Sequence, residues 1–364
     1  MAKVKVAVVQ GSGPFLDRAG CVEVAVKWIE EAGREGVELL GFPEGFIPGH
    51  PVWYHFHAVT GKQSLEWAAR LFENAVELGG PETAALKEAA RRARLNVVIG
   101  VCEKRPATNG TMFNSQLFIS SEGELLGARQ KLVPTLGERI VHTPGWGDML
   151  PVFETPIGRI SGLLCGENSN TLATSWLAAQ GTQIHVAGWP NHFSTNGKPM
   201  PEVINFNTLA LSYQVGCFVL NACGVITDDL RRLMPRDDHD RAFLANPLNG
   251  GGASIISATS RVLAGPMPGD EQGLLMAEID TADCYKAKVL HDYSGHYNRP
   301  DVFTLTVRSP TPVLARREAE ANGSSIGDPA AAGGHEVADD DGGGPAPRER
   351  PRRAALEGAS SPSE

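Results

Sequence analysis

Three residues of this 364-residue chain have types and settings that suit covalent chemistry at an electrophilic carbon: Cys165, Glu44 and Lys131. Cys165 follows the run Ile160-Ser161-Gly162-Leu163-Leu164, which reads as a buried strand. Gly166-Glu167-Asn168-Ser169-Asn170 comes next and reads as a turn with helix-capping residues, leading into a helical pattern over 172–180. A thiol at such a corner lies near unpaired helix N–H groups, whose partial positive charge favours the reactive thiolate. Glu44 closes the apolar run Leu39-Leu40-Gly41-Phe42-Pro43. A carboxylate desolvated beside a thiol can take its proton, then return it or activate water. Lys131 sits in Arg129-Gln130-Lys131-Leu132-Val133-Pro134-Thr135-Leu136-Gly137-Glu138-Arg139. Its ammonium can donate to the atom that gains electron density in a tetrahedral species, and the Gly166 N–H offers a second donor.

Taken singly, each residue has a plainer reading. A lone intracellular cysteine is most often a buried structural residue, and a glutamate most often a solvated one. Lys131 could sit on the surface of a hairpin after Glu122-Gly123-Glu124. The order and local setting of all three decide otherwise: they resemble the nitrilase branch of the carbon–nitrogen hydrolase superfamily. The resemblance spans residues 4–308 and includes Gly295-His296-Tyr297-Asn298-Arg299-Pro300-Asp301-Val302-Phe303.

The resemblance implies that Cys165 is the nucleophile, Glu44 the general base and Lys131 the stabiliser of the tetrahedral intermediate. Glu138 is then the second carboxylate of the pocket, orienting substrate and supporting proton transfer. Beside Arg139 it could otherwise be half of a surface ion pair worth little. The implied reaction is hydrolysis of an organic nitrile, a small-molecule partner, to acid and ammonia, with no metal or organic cofactor. Trp53 and Tyr54, in the aromatic stretch after Glu44, are expected near the substrate, and Trp189 as a second pocket wall. Gly166 stands where many nitrilases carry Trp. It either permits a tight corner with positive φ or leaves one side of the acyl pocket open to bulky nitriles.

Two other functions compete. An amidase or carbamoylase of the same superfamily would use the same Glu, Lys and Cys, but typically has a Tyr-Asp-x-Arg-type run after the cysteine, where this chain has Gly-Glu-Asn. A non-catalytic self-assembling scaffold would not need the intact triad.

The elements that must position these residues alternate. Strands are expected at 4–9, 37–42, 97–101, 116–120, 160–165, 184–187, 217–221, 253–256 and 274–279, and helices at 22–33, 82–95, 172–180 and 204–215. Alternation favours a layered α/β domain. Periodicity leaves open whether one sheet or two are formed; the resemblance implies a four-layer αββα sandwich with Glu44, Lys131 and Cys165 at strand ends. The catalytic domain is expected over residues 1–308. Residues 309–364 are rich in Pro, Gly, Ala, Ser and charge, without aromatic residues, and are expected to form a disordered tail.

A formal charge of -9 argues against nucleic acid as a partner. There is no signal-peptide h-region and no apolar run long enough to span a bilayer, so the chain reads as cytoplasmic without a membrane partner. Six scattered cysteines lack zinc or redox spacing. The resemblance also implies a homo-oligomer built from dimers. Asp237-Asp238-His239-Asp240 reads as a solvated charged loop rather than a metal site. His185 reads as a satisfied core histidine, and a papain-like pairing of Cys165 with His185 or His192 lacks that family's cysteine signature.

Overall fold

Val4, Val6 and Val8 point to one side of the first strand and Ala7 and Val9 to the other, and the two sets enter different cores. In the computed structural model, which describes residues 3–106, 108–191 and 198–309, twelve strands form. In chain order they are β1 (Lys3–Gln10), β2 (Leu39–Gly41), β3 (Asn96–Lys104), β4 (Met112–Ile119), β5 (Leu125–Gln130), β6 (Phe153–Thr155), β7 (Gly158–Leu164), β8 (Ile184–Trp189), β9 (Phe218–Cys223), β10 (Ser254–Ile256), β11 (Val262–Ala264) and β12 (Gly273–Asp280). Five longer helices accompany them: α1 (Arg18–Arg34), α2 (Lys62–Asn74), α3 (Pro81–Ala93), α4 (Thr171–Ala179) and α5 (Met200–Val215). Three shorter ones follow, α6 (Asp228–Leu233), α7 (Asp238–Ala245) and α8 (Asp283–Lys288).

The strands run β5-β4-β3-β2-β1-β12 in one half and β6-β7-β8-β9-β10-β11 in the other. Only the pair Gln10 and Cys223 joins β1 to β9. In each half a parallel centre, β1-β2-β3 or β7-β8-β9, is flanked by antiparallel strands. The halves stack face to face: a Cβ added to Gly41 would stand 2.8 Å from Val186 of β8, and Gln116 of β4 donates to the Val186 carbonyl at 3.1 Å.

Between the sheets lie Val4, Val6, Val8, Leu39, Val98 and Phe118 from one half, with Ile184, Val186, Leu220 and Ile255 from the other. Burying such a side chain stabilises by about 1.5–3 kcal/mol relative to leaving it exposed, so this layer fixes the stacking of the halves. On the outer face of the first sheet, Val9, Leu40, Val97 and Ile99 meet Ala25, Ile29 and Ala32 of α1 and Leu86 and Ala90 of α3. On the other side Leu163 of β7 packs with Ala173 and Leu177 of α4, and α5 contributes Ile204, Leu211 and Val215. The fold is the four-layer αββα sandwich.

The expected strands and helices recur within a few residues of their predicted ends, and the helix expected at 172–180 starts at Thr171 with Asn170 as its cap. One expectation is corrected. The stretch Asp237 to Asp240 is not a loop but the start of α7: Asp237 accepts from the Asp240 N–H at 2.9 Å, and Asp240 pairs with Arg236 at 2.9 Å. The expected tail beyond residue 309 and His192 lie outside the described residues. Among those described, no helix is long and apolar enough to cross a membrane.

Candidate active site

Glu44 follows β2 in a turn wedged between two glycines of opposite sheets. A Cβ on Gly188 of β8 would stand 3.2 Å from the Glu44 nitrogen and 2.8 Å from the Leu164 side chain. A Cβ on Gly100 of β3 would stand 2.9 Å from Glu44 Cα. The approach at Gly100 is closed to a residue with a side chain and the one at Gly188 is tighter than an ordinary Cβ contact, so both glycines ease the Glu44 backbone into the seam between sheets. The Glu44 N–H is held by the Trp189 carbonyl at 3.3 Å.

Lys131 follows β5, and its N–H donates to the Asn114 carbonyl of β4 at 2.7 Å. Its ammonium is fully buried and donates to Glu44 Oε1 at 2.6 Å and Glu138 Oε2 at 2.7 Å. Asn114 Nδ2 bridges the same two carboxylates, reaching Glu44 Oε1 at 2.6 Å and Glu138 Oε1 at 2.7 Å. Glu138 lies on the short 3₁₀ turn Leu136–Ile140. It accepts the Thr135 N–H at 2.8 Å and meets His142 Nδ1 at 3.2 Å. The Thr-x-x-Glu spacing thus works as half of a capping box, and the alternatives of a surface Lys131 and a surface Glu138–Arg139 pair are both excluded by burial.

These contacts push the two carboxyls apart. Burial raises Glu44 to about 7, with the Glu138 charge adding to the rise and Lys131 opposing it. Burial would raise Glu138 too, but Lys131 and the hydrogen bond from His142 hold it below the usual carboxylate range. Burial pulls the Lys131 ammonium down, and the two carboxylates more than offset this, keeping it charged. Glu44 therefore changes charge near neutrality while Glu138 stays ionised beside Lys131. Glu44 Oε1 is taken by Lys131 and Asn114, whereas Oε2 is buried without a hydrogen-bond partner among the described residues. Ligand atoms of Glu44, His50 and Glu138 converge within 4.8 Å. The Lys131 ammonium, bonded to both carboxylates, already supplies the positive charge that this cluster calls for.

Cys165 begins a 3₁₀ turn, Cys165–Ser169, straight after β7. Its φ is 50°, a left-handed conformation rare outside glycine. The charges of Glu44, Lys131 and Glu138 all act on its thiol. The expected thiolate-favouring corner is only partly realised. The Gly166 N–H and Lys131 do pull the thiol down, but burial and the Glu44 charge push it above its ordinary value. The resting group is therefore a thiol.

A family model for carbon–nitrogen hydrolases matches residues 5–289. Nitrilase 2 from an unknown prokaryotic organism is 38% identical over 323 residues, covering 88% of this chain and 98% of that protein. An aliphatic nitrilase of Rhodococcus rhodochrous is 36% identical, covering 85% of this chain and 81% of that protein. The chain belongs to the nitrilase branch of the carbon–nitrogen hydrolases. The family fold is seen at lower identity in the C. elegans NitFhit protein, with TM-score 0.64 and 19% identity over 86% of this chain and 69% of that one. It is seen again in an amidase from Nesterenkonia sp. AN1, with TM-score 0.57 and 17% identity over 79% and 97%.

Within this carbon–nitrogen hydrolase site the predicted pocket residues separate. Tyr54 lies at the triad: its ring abuts Gly137, where a Cβ would stand 2.5 Å away, and its hydroxyl bonds His50 Nε2 at 2.8 Å. Burial drives Tyr54 well above its ordinary value, so the hydroxyl stays protonated. Trp53 is buried among core residues, its ring against Phe15 and Trp67. Trp189 is buried as well, with its indole N–H on Asn221 at 2.9 Å. Gly166 is exposed, and an added Cβ would meet nothing nearer than Thr135 Oγ1 at 3.9 Å. Positive φ belongs to Cys165 and not to Gly166, so the tight-corner explanation of that glycine is wrong.

Sequence reasoning missed Asn114, His142 and the pair Arg129–Glu167. Asn114-Ser115-Gln116 carries a signal, three polar residues in a row inside an otherwise apolar strand. The other residues give none, because their partners are distant in sequence or fixed by a loop.

Proposed function

We propose that this protein hydrolyses an organic nitrile to the carboxylic acid and ammonia, with Cys165 as nucleophile, Glu44 as general base and Lys131 as stabiliser of the tetrahedral species. The observation that carries this reading is the division of labour around Lys131: one carboxyl held ionised, the other poised near 7 with an unpartnered oxygen. The curated relatives named nitrilase support the choice of substrate class.

Glu44 takes the thiol proton as sulfur adds to the nitrile carbon, and that proton returns to the nitrogen to give a thioimidate. Water, deprotonated by Glu44, adds to the same carbon. The tetrahedral species is stabilised by Lys131 and the Gly166 N–H. The carbon–nitrogen bond breaks, ammonia leaves with the transferred proton, and an acyl thioester remains. A second water releases the acid and restores the thiol. Glu138 holds Lys131 charged throughout, and Asn114 keeps the two carboxylates in register. The open space at Gly166 supports bulky substrates such as aryl or arylaliphatic nitriles.

Ammonia release across aliphatic, aromatic and arylaliphatic nitriles, with acid and amide both quantified, tests the proposal. Release of ammonia and acid in equal amounts is expected. Turnover of amides with no nitrile consumed would replace this reading by the amidase one.

A further inference from the structure

The left-handed Cys165 backbone is held from its carbonyl side by a buried side-chain chain that starts on β7, four residues before the cysteine, and passes through the neighbouring strand β8. Asn168 Nδ2 donates to the Cys165 carbonyl at 2.8 Å. Asn168 Oδ1 faces His185 Nε2 at 2.9 Å, and Ser161 Oγ lies 2.8 Å from His185 Nδ1. All three side chains are buried. Ser161 and His185 are register partners on β7 and β8, which is why they meet.

The direction of every bond follows from chemistry. The Cys165 carbonyl only accepts, so Asn168 presents its amide NH₂ to it and its oxygen to His185. That oxygen only accepts, so His185 carries its proton on Nε2. Burial, aided by the Arg129 charge, lowers His185 to about 3. The ring is therefore neutral, Nδ1 has a lone pair, and the Ser161 hydroxyl donates to it.

The Cys165 carbonyl and the Gly166 N–H belong to one planar trans peptide and point in opposite directions. Fixing the carbonyl therefore fixes the N–H, which acts on the Cys165 thiol. A non-glycine residue at positive φ is strained and persists only where its surroundings over-determine it.

We propose that Ser161, His185 and Asn168 are positioning residues for the reaction: through the Cys165 carbonyl they aim the Gly166 N–H at the reacting centre. The chain explains why a buried histidine has a hydrogen-bond partner at both ring nitrogens next to the turn that carries Cys165. The proposal rests on the reading of Cys165 as nucleophile.

The test compares His185→Leu, His185→Gln and Asn168→Leu with the unmodified enzyme. Three readings are taken: melting temperature, kcat and KM on a nitrile, and the rate at which iodoacetamide alkylates Cys165, followed by peptide mass. A Gln side chain can accept from Ser161 and donate to Asn168, so His185→Gln restores the chain whereas Leu breaks it. The expected result is a kcat loss of roughly tenfold to a hundredfold in His185→Leu and Asn168→Leu, the scale of a misaimed donor. KM should stay within about threefold, alkylation should slow in parallel, and His185→Gln should recover most of both rates. Wild-type kcat and alkylation in a folded His185→Leu or Asn168→Leu would overturn the proposal. So would a folded His185→Gln as impaired as the leucine variant. If His185→Leu does not fold, Asn168→Leu, which leaves the strand pairing intact, decides. Alkylation does not depend on the substrate class, so an enzyme inert to nitriles would fail the functional reading while the alkylation series still decides this one.

Discussion

Arg129 and Glu167 form a buried two-pronged ion pair, 2.8 and 2.9 Å between their paired atoms. Arg129 lies two residues before Lys131 and Glu167 two after Cys165. The Glu167 carboxylate also accepts the N–H groups of Leu132 at 2.6 Å and Leu164 at 3.1 Å. One carboxylate thereby binds the residue after the lysine and the residue before the cysteine. The distance between the two functional groups is set by this clamp rather than by either strand alone.

Breaking the clamp should be severe. Arg129→Ala leaves a buried carboxylate without its charge partner, which costs about 3–5 kcal/mol. Arg129→Lys cannot restore a two-pronged geometry and should recover only part of that. Denaturant unfolding of both variants measures the effect; an Arg129→Ala protein as stable as the parent would show that the pair does not hold the site together.

The pH profile follows from Glu44. In the proposed mechanism the carboxylate form takes the thiol proton, and burial raises this group to about 7, so kcat/KM should rise through that region from the acid side. Below it, activity should fall about tenfold per pH unit, as for any single required base. The Glu138 charge is one cause of the raised value. Glu138→Gln removes it, so Glu44 ionises at lower pH and the acid limb should move down while the maximal rate drops. A limb that stays in place or moves up would contradict the assignment of Glu44 as base.

Glu44 and Cys165 were legible in the sequence because each closes an apolar run, and Lys131 because of the Pro134-Thr135-Leu136-Gly137-Glu138-Arg139 continuation after it. Phe42-Pro43-Glu44, Arg129-Gln130-Lys131 and Leu163-Leu164-Cys165 each mark a strand end at the same edge of the sandwich. The electrostatics were not legible. The thiol is pushed up by burial between two sheets, and sequence cannot show that those sheets stack. The clamp joins residues 38 positions apart, and the Asn114 bridge requires β4 to lie beside β5 under both carboxylates. The short strands β6 and β11 also escaped, since three-residue strands lack a readable alternation.

Gly166 sets the next prediction. Its missing side chain faces open space near Thr135, so Gly166→Trp should place its indole there without straining the backbone. Turnover of arylaliphatic nitriles should fall much more than that of small aliphatic ones. Equal loss on both substrate sizes would place the side chain outside the pocket and leave Gly166 without a role in selectivity.

The nucleophile carries the whole account, and trapping it is the most direct test. The enzyme is incubated with a slowly turned-over nitrile, quenched in acid, digested and analysed by mass. The account predicts one acyl or imidoyl adduct, on the peptide containing Cys165, absent from each of the other five buried cysteines. It also predicts that Cys165→Ala keeps the melting temperature and loses turnover and adduct together. Nitrile hydrolysis surviving in Cys165→Ala, or an adduct on any other cysteine, would contradict it.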